Sequence, residues 1–348
     1  MEAVPTETKR ALTALVPWLS SVARDLPWRT DRTGYRVWVS EVMLQQTRVS
    51  TVIPYYDRFL ARFPTVKVLA AADEGDVLAA WSGLGYYRRA RQLHRGARHV
   101  AEKLGGEVPR TIEGLLSIPG VGPYTAGAIA SLAFGVRAPL VDGNVVRVLS
   151  RIFAIEDDAR RPKTTKRIWA IAEQLVPSEA PGAFNEALME LGATVCTPQV
   201  PDCPSCPVVG TCAARARGIE RSLPVLAAKK VVPTVYAAAL VARKDGAILL
   251  GRRRGDALFG GMWEPPMIEA DERDAATSQA ARFATRTEGR GTVKHVLSHR
   301  RMEITVLSGV PLARATYPEI YDEVRFVAES ELPSYGISTL ARKVMSVG

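Results

Sequence analysis

The stretch LLSIPGVGPYTAGAIASLAF, residues 115–134, decides how the rest of the chain is read. Its IPGVG core lies between two runs whose apolar residues recur every three to four positions, which predicts helix, tight turn, helix. Gly120 and Gly122 permit a left-handed turn, and Pro123 takes the first position of the second helix, where its missing N–H is no loss. The wider segment Gly114–Val136 holds 23 residues without a charge, but its five Gly and two Pro argue against a membrane span. The turn has two readings. It is either a plain connection inside a core, or a place where the backbone amides of Gly120, Val121 and Gly122 hold a phosphate without reading sequence.

Outward from the turn, helical spacing runs from about residue 8 to 194. It covers Thr8–Ala23, Val37–Thr47, Ser50–Arg62, Asp76–Ser82, Arg88–Leu104, Thr111–Ser117, Tyr124–Ala133, Asn144–Phe153, Thr164–Leu175 and Ala183–Ala193. Beyond residue 233 the grammar changes. TVYAAALVA (234–242), AILLG (247–251), RMEITVLSG (301–309) and EVRFVA (323–328) read as strands, with helices near 275–288 and 337–346. The expected architecture is multi-domain: a flexible 1–8, an all-α domain over 9–214, a basic linker over 215–233 and a smaller α+β domain over 234–348. The 348 residues, 47% hydrophobic, suit two such cores. Lys and Arg total 46 against 36 Asp and Glu, and an excess of +10 favours a polyanionic partner. Arg88, Arg89, Arg91, Arg95 and Arg98, with no acid between 84 and 101, suit either a phosphate-tracking face or a solvated helix face.

All four cysteines fall between 196 and 212, spaced Cys196-x6-Cys203-x2-Cys206-x5-Cys212. Disulfides of a secreted chain would not crowd so tightly, so the reading is a metal site in a reducing, intracellular compartment. Four thiolates on Pro-stiffened loops suit Zn²⁺ or an iron–sulfur cluster, and thiolate chemistry alone does not separate them. MEAVPTETKR at the start lacks the apolar run of a signal peptide. Two acids stand out. Asp142, in LVDGNVVRVLSRIF (140–153), precedes a helix and is either its N-cap or a carboxylate kept ionised beside a developing positive charge. Glu41, in SEVMLQQT (40–47), is either a solvated helix residue or, with Trp38, Val42 and Met43 around it, a desolvated general acid.

The hairpin, the VDGN that follows it and the cysteine spacing together resemble the helix-hairpin-helix DNA glycosylases that carry a C-terminal iron–sulfur cluster, the endonuclease III-like superfamily. LPWR (26–29), SEVMLQQT, GLGYYRRAR (83–91) and FNEALMELGA (184–193) are similar to its adenine DNA glycosylase branch. The resemblance implies one [4Fe–4S] cluster on Cys196, Cys203, Cys206 and Cys212. It implies a monomer in the cytoplasm, associated with the nucleoid and not with membrane, acting on double-stranded DNA with adenine opposite 8-oxoguanine or guanine. The lyase branch carries a Lys in the hairpin helix where this chain has Tyr124, and a phenol makes no imine, so the resemblance implies a simple hydrolase.

In that reading Glu41 protonates an extruded adenine at N7 and Asp142 stabilises the oxocarbenium sugar. Tyr124 and Asn144 orient the carboxyls, and Trp28, Arg29 and Glu186 line the adenine pocket. Gln46 and Tyr86 intercalate, while Thr47 and Leu84 lie against the opposite 8-oxoguanine. FGGMWEPP (259–266) and the strand pattern resemble the Nudix-like domain of this family. EADERDAATSQAARFATRTEG (269–289) lacks the REXXEE core that binds Mg²⁺, so recognition of 8-oxoguanine is expected there and nucleotide hydrolysis is not. The probing loop of the family carries an aromatic-Ser-His triplet; this chain has Leu297-Ser298-His299. The rival readings are an endonuclease III-like enzyme on oxidised pyrimidines and a non-catalytic DNA-binding homologue.

Overall fold

The amphipathic runs form helices that bury one stripe each, and the chain is described here by a computed structural model over residues 3–227, 231–313 and 315–348. Contacts divide it into two units, Met1–Leu60 with Thr65–Lys67 and Arg95–Lys229, and Ala61–Pro64 with Val68–His94 and Lys230–Gly348. The grouping departs from chain order. The 9–214 stretch expected as one domain contributes the helix Glu74–Trp81 to the second unit. There the Ser82 hydroxyl bonds the Ile337 carbonyl, and the Tyr87 ring meets Phe259 edge-on with centroids 6.2 Å apart.

In the first unit, Leu12, Leu15, Val145, Leu149, Ile168, Phe184 and Leu188 close one core between helices. Thr8–Ala23, expected as a single run, is two helices, Thr6–Leu12 and Leu15–Val22. Pro17 explains the break: it has no N–H for the Thr13 carbonyl, and in a continuous helix its ring would crowd that carbonyl. Residues 4–8 are not a loose end: Val4 is buried in the core and its amide donates to Gln174 Oε1 at 2.9 Å. The hairpin helix Pro123–Ala128 runs on into a π-helical turn, Ile129–Ala133. Two glycines let backbone approach side by side around the Asp142 loop. A Cβ on Gly127 would meet the Pro139 carbonyl oxygen at 2.0 Å, and one on Gly192 would meet Asn144 Cβ at 2.5 Å.

Among the described residues the second unit carries eight strands: β1 Thr234–Val241, β2 Arg243–Lys244, β3 Ala247–Arg253, β4 Trp263–Glu264, β5 Met267–Ala270, β6 Ala284–Val296, β7 Arg301–Pro311 and β8 Tyr321–Ala328. One sheet has the order β5-β1-β7-β6 with β1 and β7 parallel; the other is β2-β3-β4, with β8 also on β3. Helices Arg273–Ala281 and Thr339–Val347 pack on it. The helix expected to 288 stops at Ala281, and β6 starts at Ala284. β6 was invisible in the pattern because TRTEGRGTVKH buries almost nothing; an edge strand is held by backbone pairing, here to β7 with two register shifts. The 215–233 linker contains a short helix, Ala213–Ala216, at its start and a 3-10 turn, Glu220–Ser222; residues 228–230 lie outside the described residues.

Gly127→Ala is expected to lower unfolding stability in urea by about 3 kcal/mol, since backbone cannot retreat from the new methyl. Gly75→Ala, whose Cβ meets nothing within 4 Å, is the control and leaves stability level or higher.

Candidate active site

The helix Gly34–Leu44 starts at a Thr33 N-cap and is buried along most of its length, and this carries Glu41 inside with only 4% of its surface exposed. Burial lifts the Glu41 carboxyl from 4.5 to about 7; the Tyr124 hydroxyl, which donates to Oε2, pulls it back, and the negative charges of Asp142 and Glu186 add to the rise. A carboxyl on a polar cleft that holds its proton up to about pH 7 and can still release it is what a proton donor requires.

Asp142 caps the helix Gly143–Ile152, and its other oxygen is held as well. Oδ1 accepts from the Val145 amide at 2.7 Å and Oδ2 from Asn144 Nδ2 at 2.8 Å. Burial raises this carboxyl above the usual Asp value, while these donors and the Arg147 charge draw it down toward the ionised form. The N-cap and carboxylate readings are therefore one arrangement. Arg147 fixes it from behind: Nη2 donates to Asn144 Oδ1 at 2.8 Å and to the Gly192 carbonyl at 2.6 Å, and Nε to the Cys196 carbonyl at 2.7 Å.

Glu41, Asp142, Tyr124, Asn144, Trp28, Arg29, Glu186, Gln46 and Thr47 all line one cleft of about 480 Å³. Its wall is an alternating chain of charge. Glu186 and Glu190 share a face of the helix Pro181–Thr194, where like charges four residues apart repel. Three arginines offset this. Arg24 grips Glu190 at 2.6 and 2.8 Å, Arg29 bridges Glu186 at 2.7 Å and Glu190 at 2.8 Å, and Arg32 reaches Glu186 at 2.8 Å. Sequence reading missed Arg24, Arg32, Glu190 and Arg147; the four-residue spacing of Glu186 and Glu190 was the available signal.

In the hairpin turn Gly120 is left-handed at φ +87°, but Gly122 is extended at φ −100°, so the turn needs glycine conformation once, not twice. The Val121 amide donates to the Ile118 carbonyl at 3.0 Å, which removes it from the set expected to face phosphate. Gln46 has φ +57° and Tyr86 +49°, conformations that cost a non-glycine residue about 1–3 kcal/mol and gather at functional sites. Tyr86 is 47% exposed, whereas Leu84 is buried, packing rather than presenting itself to a base. Tyr86, Leu84, Ser298 and His299 belong to the second unit. Ser298 and His299 stand exposed at the tip of the β6–β7 hairpin, closed by the Leu297 amide on the Arg300 carbonyl at 2.9 Å, and Leu297 packs against the core. Of the five arginines in 88–98, Arg88, Arg95 and Arg98 are exposed, while Arg91 bonds Glu74 at 3.0 Å.

The four cysteines form no disulfide and line one small cavity. Arg151, fully buried, donates to Cys196 Sγ at 3.2 Å and to the carbonyls of Thr197, Pro198 and Leu223. Burial pushes the Cys206 thiol up to about 11 and raises Cys203 and Cys212. Among the described residues, no three His, Cys, Asp or Glu close on a single ion.

Residues 39–174 match the HhH-GPD superfamily of base excision DNA repair proteins, and 237–347 match the NUDIX domain. The human adenine DNA glycosylase is 37% identical over 96% of this chain and 73% of its own. The chain belongs to the adenine DNA glycosylases. As a member it is a DNA repair enzyme that cleaves the N-glycosidic bond of adenine, with an endonuclease III-like helical domain and a Nudix-like domain. Among solved structures, a thermostable thymine-DNA glycosylase is 31% identical with a TM-score of 0.56, covering 61% of this chain and 98% of its own. An endonuclease III trapped on DNA shares the fold at a TM-score of 0.53 and 24% identity, over 63% of this chain and all of its own. Among the described residues no helix is long and apolar enough to cross a membrane.

Glu41 binds its proton in the fold up to about pH 7 but only to about 4.5 when exposed, so its contribution to stability declines as pH rises between those values. Glu41→Gln is thus expected to unfold at higher urea than the parent at pH 8, by roughly 3 kcal/mol. The gain should vanish below pH 4.5, and equal gains at both pH values would contradict a buried neutral acid.

Proposed function

We propose that this adenine DNA glycosylase acts on adenine opposite 8-oxoguanine, or guanine, with Glu41 as general acid and Asp142 as the stabiliser of the sugar cation. The observation that carries the reading is the shared cleft, in which a carboxyl lifted to about 7 faces one held by two donors. Adenine cannot be reached inside a duplex, so the nucleotide is extruded into the cleft, and Gln46 and Tyr86 enter the vacated stack. Adenine anion leaves poorly. Glu41 therefore hands its proton to N7 as the bond to C1′ lengthens, the bonding pair departs with the base, and the sugar takes up oxocarbenium charge. Asp142 meets that charge as a carboxylate, electrostatically or by a transient covalent bond. Water then adds at C1′ and gives its proton to Glu41.

Tyr124 holds the Glu41 carboxyl by its hydrogen bond, and Asn144 holds Asp142. Trp28 supplies an apolar face for the purine, braced edge-on by Tyr56 at 5.5 Å, and the Arg29–Glu186 pair supplies the polar edge. Thr47 and Leu84 lie opposite the lesion partner, and Ser298 and His299 probe 8-oxoguanine from the β6–β7 tip; Leu84 then has to leave its packed position. The amides beside Val121, those of Gly120 and Gly122, hold phosphate. An intracellular, nucleoid setting follows from the substrate.

Cys196, Cys203, Cys206 and Cys212 fit one [4Fe–4S] cluster. The four side chains line one common cavity, and one thiolate for each of four irons is the donor set such a cluster takes. When bound, the cluster supplies four Fe–S bonds that fasten the loops of the knot.

Single-turnover base release decides the reading. Duplexes with adenine opposite 8-oxoguanine, adenine opposite guanine, and thymine glycol are incubated with the enzyme, with hot alkali added to one aliquot. Release of adenine, fastest opposite 8-oxoguanine, and strand scission only after alkali are expected. Glu41→Gln should lose about 10²–10⁴-fold in rate while still binding the lesion duplex. Cleavage of thymine glycol, or an active Glu41→Gln, rules the mechanism out. Cys203→Ser should lower bound iron and sulfide together and abolish the visible absorption of the cluster.

A further inference from the structure

The turn before the Arg88–Lys103 helix is wound tightly, with Gly83, Gly85 and Tyr86 at φ 107, 73 and 49°. An exposed ring on such a turn would ordinarily wander over several rotamers, and ordering it on DNA would cost entropy. Here it is held. Trp81, wholly buried, donates from Nε1 to the Gly85 carbonyl at 3.2 Å, and Arg89 Nη2 donates to the same oxygen at 3.2 Å. The Arg89 guanidinium then lies 5.5 Å from the Trp81 ring and 5.4 Å from the Tyr86 ring, within cation–π range of both. Its own position is set from below, since the Arg89 amide bonds the Tyr86 carbonyl at 2.8 Å.

We infer that Arg89 is a positioning residue that stacks between Trp81 and Tyr86 and holds the Tyr86 ring in the orientation in which it enters DNA. The inference rests on the reading of Tyr86 as the wedge. It replaces the expectation that Arg89 tracks phosphate with its neighbours. A planar guanidinium can face a ring while its edge donates to the Gly85 carbonyl; the compact ammonium of a Lys can do one or the other but not both at this geometry. Arg89 acts through Tyr86 and needs no contact with the base.

The test uses the full chain and a duplex in which 2-aminopurine, dark when stacked and bright when extruded, replaces the target adenine. Wild type, Tyr86→Ala, Arg89→Met, Arg89→Lys and the double variant Tyr86→Ala/Arg89→Met are titrated, with urea unfolding run on each. Tyr86→Ala should lose most of the fluorescence rise. Arg89→Met should lower the extruded-to-stacked ratio about fivefold, the worth of one cation–π contact, and Arg89→Lys should recover part of it. In the Tyr86→Ala background, Arg89→Met should have no further effect, a result a merely structural role would not produce. If Arg89→Met behaves as wild type while Tyr86→Ala is defective, the positioning role fails and the wedge reading stands. If Tyr86→Ala is bright, the wedge reading itself fails. An undiminished Arg89→Met loss in the Tyr86→Ala background means that Arg89 meets DNA directly and overturns the inference. Should Arg89→Met not fold, Arg89→Gln, which also lacks the cation, replaces it in both backgrounds.

Discussion

The Arg147 guanidinium ties together three segments that lie apart along the chain. One nitrogen holds Asn144 and the Gly192 carbonyl, another the Cys196 carbonyl, and through Asn144 the geometry of Asp142 follows. A buried cation without partners would be costly, so each donor needs its acceptor in place, and this makes the loop around Asp142 rigid. Gly127 and Gly192 are the steric side of the same constraint, because any Cβ there would push the loop off its neighbours. Glu41 depends on it in turn, since the charge of Asp142 contributes to keeping Glu41 protonated.

Two carboxyls on one cleft are set apart by what their surroundings donate. Glu41 has a single hydroxyl against full burial and keeps its proton up to about pH 7, whereas Asp142 receives a backbone amide and a side-chain amide with a cation nearby. The adenine side of the cleft shows the complementary arrangement, in which Glu186 and Glu190 are offset by three arginines. Charges there are fixed in pairs, so an incoming base meets oriented dipoles rather than mobile ions.

Much of this was legible in the chain. The hairpin and the stretches around Glu41, Asp142 and Glu186 are helical as their spacing predicts, because amphipathic periodicity and Pro at a first turn are local signals, whereas the short helices Pro27–Thr30 and Val66–Ala71 carry no such periodicity. Strand β6 was not, because an edge strand that buries little leaves no alternation. The second left-handed glycine of the turn was also over-read; permission for a conformation is not its adoption, and Gly122 is extended. Leu84 looked available in the GLGYY motif and is packed instead.

By itself, the sequence determined which residue types exist at which spacing: one hairpin, four clustered thiols, a Tyr in place of a lyase Lys, and a Nudix-like segment without its Mg²⁺ helix. Tertiary structure alone decided that Glu41 is buried, that Arg147 and Arg29 are spent on internal partners, that residues 68–94 pack with the C-terminal unit, and that Arg89 turns toward aromatic rings. The reason is physical. Spacing along a chain reports local backbone preference, whereas desolvation and charge pairing depend on neighbours tens or hundreds of residues away, which no local pattern encodes.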